Sequence, residues 1–535
     1  MQPVAPERIF KIYPVCLRLL GDKAGGPGTE VFSELDFSEN FPQLLSSLIE
    51  KHGLPPFLPE LARLELASHQ VGEAGDDIPG EVSSHQMNPT LQIVQLGWCN
   101  LSRLLAEDDV SVGLTLPEPG GEVVLLWRRF GSDEISRKVA DDEDLLVLKM
   151  IMEGLAAEQV AEAGNLPVGA VDLALYRAVD RGLVLSPPSL LRRGESFFAG
   201  DCRADRDTFT SVEAFSLQWH LTQACDLHCR HCYDRSSRKS LPLDKALAVL
   251  DDLRSFCLAK HVRGHVSFSG GNPLLYPEFT ELYRAAVDRG LGVAILGNPT
   301  SREVLQELID IEPPSFYQVS LEGLPEHNDY IRGEGHFERI LAFLELLKDL
   351  DIYSMVMLTL TRANMEQVIP LTELLRDKVD SFTFNRLAMV GEGANLLSVD
   401  PGNFRGFLEE FLLAAKENSS LRLKENLFNI IRHDRGRELF RGCAGFGCGA
   451  AFSFITLLPD GEVHACRKFP SPVGNILEQS LGEIYDSAAA ERYRQGCEEC
   501  RGCAIRPACG GCLAVGHGLG RDIFTERDPY CFMKN

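Results

Sequence analysis

The run Phe215-Ser-Leu-Gln-Trp-His-Leu221 leads, after three further residues, into Cys225-Asp-Leu-His-Cys229-Arg-His231-Cys232. A short apolar run bounded by polar residues predicts a buried strand, here ending in a loop with three cysteines spaced C-x3-C-x2-C. Three thiolates on one short loop can hold three irons of a [4Fe-4S] cube, which leaves the fourth iron without a protein ligand and free to chelate a substrate or cofactor. The next cysteine, Cys257, falls in a helical pattern and is expected to pack as a small apolar residue. A zinc site is the competing reading, although closed zinc sites ask for four ligands.

Beyond Asp205 strands and helices alternate, the pattern of a parallel sheet with helical crossovers. The apolar pattern predicts strands at 215–221, 265–269, 292–296, 316–320, 352–360 and 381–386. Helices are expected near 242–259, 276–289, 301–310, 336–349, 365–378 and 402–416. Six such units over 210–420 make an α/β fold, a partial (β/α)6 TIM-type barrel, whose chemistry belongs at the C-terminal strand ends. After the cysteine loop, those ends read Gly270-Gly271-Asn272-Pro273, Gly297-Asn298-Pro299-Thr300, Ser320-Leu-Glu322-Gly323, Thr361-Arg362-Ala-Asn364 and Asn385-Arg386. Arg362 reads as a capping and solubilising residue, whereas Asn385 and Arg386 are placed near the barrel mouth.

Residues 440–535 form a Cys-rich region with nine cysteines from 443 onward. Eight fit one pattern: Cys443-x4-Cys448-x12-Gly461-x4-Cys466, then Cys500-x2-Cys503-x5-Cys509-x2-Cys512, and Cys531. Cys497 is a ninth that could replace Cys500 as a ligand, and a pair of zinc knuckles is the alternative. Leu458-Pro-Asp-Gly-Glu462 predicts a hairpin turn that sets Cys466 just past its second strand.

The cysteine loop, with the aromatic His231 before its last cysteine, resembles the signature of radical S-adenosylmethionine (SAM) enzymes. That resemblance implies a [4Fe-4S] cube on Cys225, Cys229 and Cys232, with SAM chelated by the open iron and cleaved to a 5′-deoxyadenosyl radical. Gly270, Gly271, Asn272 and Pro273 resemble the family's glycine-glycine-acid-proline motif beside the methionyl amine, with Asn272 where the family commonly carries Glu. Asn298, Ser320 and Glu322 fall where the family contacts the ribose and carboxylate of SAM. The C-terminal cysteines resemble the SPASM extension, which implies two auxiliary [4Fe-4S] clusters. Cys443, Cys448, Cys466 and Cys512 would hold one, and Cys500, Cys503, Cys509 and Cys531 the other. The gap from Cys509 to Cys512 is one residue shorter than usual in that extension. Fully ligated clusters cannot bind SAM, so their expected work is electron transfer.

Residues 1–110 are expected to form a helical accessory domain without a catalytic motif. Pro55 to Gln70 reads as its clearest helix, with Leu58, Leu61, Leu64 and Leu66 as the apolar face. This run resembles the FL-x-x-LARLE helix of an N-terminal domain in helper proteins for modified peptides. Gly72 to Pro89 reads as a flexible loop. Over 118–205 a strand at Glu122 to Arg129 precedes helices at Glu143–Glu153, Ala157–Ala163 and Val168–Arg181 and a short strand at Leu183 to Leu185, in winged-helix order. The third helix sets Asp172 and Asp180 against Arg177 and Arg181, so no basic face for DNA emerges. Such a module resembles the element with which peptide-modifying enzymes take up a leader peptide; the other reading is a scaffold.

The 535 residues carry a formal charge of −24, which argues against a nucleic-acid partner. No apolar run reaches membrane-spanning length and no signal-peptide core occurs at the N-terminus, so a soluble, cytoplasmic protein is expected. Twelve of sixteen cysteines lie in two short-spaced clusters, as metal ligands do, in keeping with a reducing compartment. The whole chain resembles radical SAM/SPASM maturases of ribosomally synthesised peptides (RiPPs). Tyr13-Pro-Val-Cys-Leu-Arg-Leu-Leu-Gly21 with the Gly-Gly-Asn-Pro variant is most similar to selenobiotic-type maturases, which make thio(seleno)oxazole modifications in Cys-rich precursors. The expected partners are a precursor peptide with a leader and an electron donor such as ferredoxin or flavodoxin. Two alternatives stand: a sulfatase-type maturase oxidising Cys or Ser, and a non-catalytic Fe-S redox-sensing regulator.

Overall fold

The computed structural model describes residues 11–21, 41–74, 82–105, 116–129, 134–198 and 205–534. Contacts divide the chain into a front unit ending at Pro188 and a rear unit from Ser189 to Asn535.

In the front unit, short strands β1 (Gln86–Met87) and β5 (Val184–Leu185) pair with each other, and β2 (Gln92–Cys99), β3 (Glu118–Arg128) and β4 (Ile135–Val139) form an antiparallel sheet in that order. Strand periodicity explains why β3 is central, because successive side chains point to opposite faces. Val124 and Leu126 join the core of the N-terminal helices, while Leu125 and Trp127 join that of the helices at Asp142–Glu153, Ala157–Gly164 and Val168–Asp180. The expected helix-helix-helix-strand order is present. The sheet in front of it was not read from the sequence, and through β2 and β3 it ties the segments expected as separate modules into one unit. Within the segment read as a flexible loop, Gly72 and Glu73 end a helix and β1 forms, while 75–81 lie outside the described residues.

The predicted helix at Pro55 to Gln70 spans Leu58–Glu73, and its apolar face includes an acid. Glu65, 3% exposed, accepts hydrogen bonds from the backbone N–H of Val15 (2.6 Å) and Cys16 (3.2 Å). These are orphan donors in the first turn of the helix Pro14–Gly21, so one N-terminal motif caps the other. Burial pushes the Glu65 carboxyl up to about 7, against the pull of Cys16, the two N–H groups and Arg18.

The rear unit is built on nine strands. β6 (Ala214–Thr222), β7 (Arg263–Gly270), β8 (Gly292–Leu296), β9 (Tyr317–Ser320), β10 (Ser354–Leu360) and β11 (Ser381–Arg386) run parallel in sequence order, the partial (β/α)6 barrel that was expected. The sheet continues beyond β6 into the Cys-rich region through β12 (Phe454–Leu457), parallel to β6, then antiparallel β13 (Glu462–His464) and β14 (Pro472–Asn475). Gly461 closes the β12–β13 hairpin at φ +91°, a conformation that favours glycine. One continuous apolar core runs through barrel and C-terminal region. In it Phe384 of β11 meets Phe407 and Phe411 of the helix Pro401–Glu417 at 5.2 Å between ring centroids. Each such ring contributes about 1.5–3 kcal/mol by burial. Among the described residues no helix is long and apolar enough to cross a membrane.

Candidate active site

The loop after β6 is gripped by its neighbours. Gly270 has φ +128°, and a Cβ there would stand 2.4 Å from Thr222 O; at Gly271 a Cβ would stand 2.2 Å from Ala224 O. Gly271 N–H donates to Thr222 O and Asn272 N–H to Ala224 O, both at 2.8 Å. The two glycines therefore let β7 clamp the backbone of the cysteine loop. After β11, Gly391 does the same on the other side: its Cβ would stand 2.4 Å from Tyr233 O, and Glu392 N–H donates to Cys232 O at 2.8 Å.

Cys225, Cys229 and Cys232 line a cavity of about 430 Å³ at the barrel mouth, together with Gly270, Gly271, Asn298, Ser320 and Asn385. Asn298 Nδ2 lies 3.7 Å from Cys225 Sγ and Arg332 Nη1 lies 3.6 Å from Cys229 Sγ, so two N–H donors face sulfur. Such donors favour thiolate and suit a sulfur-ligated cluster. Burial raises the Cys229 thiol, opposed by Arg332.

Three expected contacts do not line this cavity. Pro273 is buried at the start of a short 3-10 turn. Asn272, 5% exposed, donates to Asp226 Oδ1 at 3.0 Å. Glu322, 2% exposed, faces Arg332, which the sequence reading missed because it closes a polar helix, Pro325–Arg332. Its Oε1 accepts from Arg332 Nη2 at 2.5 Å and Nε at 2.9 Å and lies 3.3 Å from His231 Nε2, and its Oε2 accepts from Thr359 N–H at 2.8 Å. Burial would raise this carboxyl, but His231 and Arg332 outweigh it and hold it well below the ordinary range. Glu322 thus positions Arg332, which lines the cavity. Arg362 is exposed, as expected for a capping residue.

The C-terminal cysteines divide into two groups. Cys443, Cys448, Cys466 and Cys512 line one cavity of about 100 Å³, and Cys500, Cys503, Cys509 and Cys531 a smaller one. The short gap between Cys509 and Cys512 is bridged by Gly510 and Gly511, both in the left-handed region at φ +66° and +63°, which sends the flanking thiols to different cavities. Cys497 is buried and its free thiol shares a hydrogen bond with that of Cys500. Burial and the neighbouring thiols push Cys448 up to about 12, and burial takes Cys512 to about 11.

Among the described residues no three His, Cys, Asp or Glu side chains are drawn together tightly enough to hold a single metal ion. Beside the cysteines stand several cationic side chains. Lys424, Arg467 and Lys468 line the first group's cavity, and Arg467 and Lys468 line the barrel cavity as well; among the described residues none of the three forms an ion pair with a carboxylate. Burial and mutual repulsion pull Lys424 down to about 8, against the attraction of Cys443. Beside the second group Arg506, 8% exposed, stacks over Phe197 at 4.0 Å and donates to a backbone carbonyl, Gln495 O. A cluster held by four thiolates is anionic, so sulfurs ringing a cavity with cations beside them fit that group.

A sequence model of the Radical SAM superfamily matches residues 219–375, and one of an iron-sulfur cluster-binding domain, SPASM, matches residues 448–504. The AdoMet-dependent heme synthase of Methanosarcina barkeri is 29% identical over 349 residues, covering 59% of this chain and 96% of that protein. The Fe-coproporphyrin III synthase of the same organism is 30% identical over 59% of this chain and 87% of its own length. The antilisterial bacteriocin subtilosin biosynthesis protein AlbA of Bacillus subtilis is 26% identical over 62% of this chain and 75% of its own length. In fold, the crystal structure of Streptococcus suis SuiB bound to precursor peptide SuiA matches with a TM-score of 0.50 at 16% identity, over 77% of this chain and 96% of that one. The chain belongs to the radical SAM superfamily and carries a SPASM domain. It is an enzyme whose cofactors are SAM, a [4Fe-4S] cluster and auxiliary Fe-S clusters, which sets aside the non-catalytic regulator.

Proposed function

We propose that this enzyme uses SAM-derived radical chemistry to modify residues of a ribosomally synthesised peptide. Cys225, Cys229 and Cys232 are the residues that would hold the SAM-binding cube, and the two C-terminal groups of four would hold the auxiliary clusters. When bound and reduced, the first cube supplies a 5′-deoxyadenosyl radical from SAM. The chain's own residues orient: β7 and the Gly391 turn fix the cysteine loop, and Glu322 and Arg332 brace Cys229.

The observation that carries the peptide reading is the front unit. Among the described residues its three-stranded sheet ends in β2, whose Gln95 O and Gly97 N–H are taken by Arg63 and Glu60, and in β4, with three helices following; β4 is the edge to which an extended leader peptide can add a strand. The match to SuiB spans more residues than the rear unit contains, and AlbA serves biosynthesis of a bacteriocin. AlbA at 62% and the tetrapyrrole enzymes at 59% of the chain each match over less than the rear unit spans, so the front unit is the part that the sequence relatives do not cover. We further infer from the sequence likeness to selenobiotic-type maturases that the peptide is Cys-rich, with a ferredoxin or flavodoxin as reductant.

Coexpression with short Cys-rich peptides encoded beside this protein's gene, followed by mass spectrometry, tests the reading. A loss of hydrogens that depends on Cys225, Cys229 and Cys232 and on the leader supports it. Modification of a Cys or Ser in a folded protein substrate alone would favour the sulfatase-type alternative, and turnover of a tetrapyrrole alone would overturn the peptide reading.

A further inference from the structure

We propose that Asp226 is the anionic contact for the cationic end of SAM and supplies the charge that position 272 lacks. Two amides converge on its carboxylate. Asn272 Nδ2, from the end of β7, donates to Asp226 Oδ1 at 3.0 Å, and Asn298 Nδ2, from the end of β8, donates to the same oxygen at 2.6 Å. Both asparagines are buried, 5% and 8% exposed, and both are themselves fixed. Asn272 Oδ1 accepts from Leu274 N–H at 3.3 Å, and the Asn298 carbonyl accepts from the Tyr317 hydroxyl at 2.6 Å.

Asp226 itself is exposed; it is not one of the side chains lining the barrel cavity, and it adjoins that cavity through Cys225, which it directly follows, and Asn298, which also approaches the Cys225 sulfur; both of these line it. Among the described residues no Lys, Arg or His pairs with it, and its second oxygen, Oδ2, accepts no hydrogen bond. An un-neutralised carboxylate held by two buried amides is a prepared partner for a cation, because its orientation is fixed before the ligand arrives. SAM brings two cationic groups to this loop, an ammonium and a sulfonium. The amide of Asn272, spent as a donor toward Asp226, is then a positioning group, and the absence of Glu at 272 costs the site no charge. The inference rests on the superfamily's cofactor and is independent of the peptide reading.

The test is SAM binding to the anaerobically reconstituted full chain, by equilibrium dialysis with labelled SAM and by the change SAM makes in the EPR spectrum of the reduced cube. Asp226→Asn keeps an acceptor for both amides and removes only the charge. Its affinity for SAM is expected to fall about tenfold, the worth of charge assistance in one hydrogen bond, with iron content unchanged. Adding Asn272→Asp to that variant returns a carboxylate to the same contact and is expected to recover the affinity. In the wild-type background Asn272→Asp sets two carboxylates together and is expected to weaken binding. Wild-type affinity in Asp226→Asn, loss of iron from that variant, or failure of Asn272→Asp to recover binding would each overturn the proposal. A wild-type chain that assembles its clusters and binds no SAM would overturn the cofactor assignment and this proposal with it.

Discussion

Arg386, the last residue of β11, holds Asp528 by two hydrogen bonds of 2.9 and 2.7 Å across 142 residues of sequence. The same guanidinium takes Glu425 at 2.9 and 3.1 Å, and all three side chains are buried. Asp528 in turn accepts the N–H of Cys512 at 2.8 Å, so a barrel strand end sets the geometry of the C-terminal cysteines. Arg386→Met leaves two buried carboxylates unpaired and is expected to cost about 3–5 kcal/mol. Thermal unfolding checks this, together with an iron content that falls toward about eight atoms from about twelve.

The Glu322–Arg332 pair makes a similar prediction nearer the chemistry. Arg332→Met strands a buried carboxylate and is expected to destabilise the chain by about 3–5 kcal/mol, whereas adding Glu322→Leu removes that charge and recovers part of the loss. Denaturant unfolding of the two single variants and the double variant measures the coupling.

Glu65 gives the chain a pH signature. Its carboxyl is raised from 4.5 to about 7 by burial, so the folded state favours the protonated form. The stabilisation is fully present below about 4.5 and is lost as pH rises through about 7, a change on the order of 3 kcal/mol at most. The melting transition of the front unit is expected to drop over that interval, and Glu65→Gln to flatten the dependence.

Lys424 stands beside the first C-terminal cysteine group and, among the described residues, pairs with no carboxylate. Lys424→Met is expected to lower the reduction potential of the cluster there by about 30–60 mV, since positive charge favours the reduced, more anionic form. Redox titration followed by EPR reads the shift, and an unchanged potential would remove Lys424 from that role.

The barrel was legible because each of its strands is a short apolar run between turn residues, and all six lie within two residues of their expected places. The cysteines could be counted and spaced, but their division between cavities depends on Gly510 and Gly511, whose conformation no spacing reveals. Asp226 sat inside the motif, unread, because its meaning comes from two asparagines 46 and 72 residues away. Glu322 was placed at the right strand end, but its pairing with Arg332 was not read, since Arg332 is supplied by a helix too polar to register as core-forming. β2 and β4 escaped because each is short of buried apolar side chains: their faces are largely exposed or half-buried, as edge strands allow.

The central claim is that Cys225, Cys229 and Cys232 hold a cube with an open iron for SAM, apart from the two C-terminal groups. The most direct measurement is anaerobic: iron content and dithionite-dependent 5′-deoxyadenosine formation in the wild-type chain and in the Cys225→Ala, Cys229→Ala, Cys232→Ala triple variant. The account predicts about twelve irons and SAM cleavage in the wild type, and about eight irons with cleavage abolished in the variant. Bound zinc without cleavage in the wild type, or cleavage that survives in the triple variant, would contradict it.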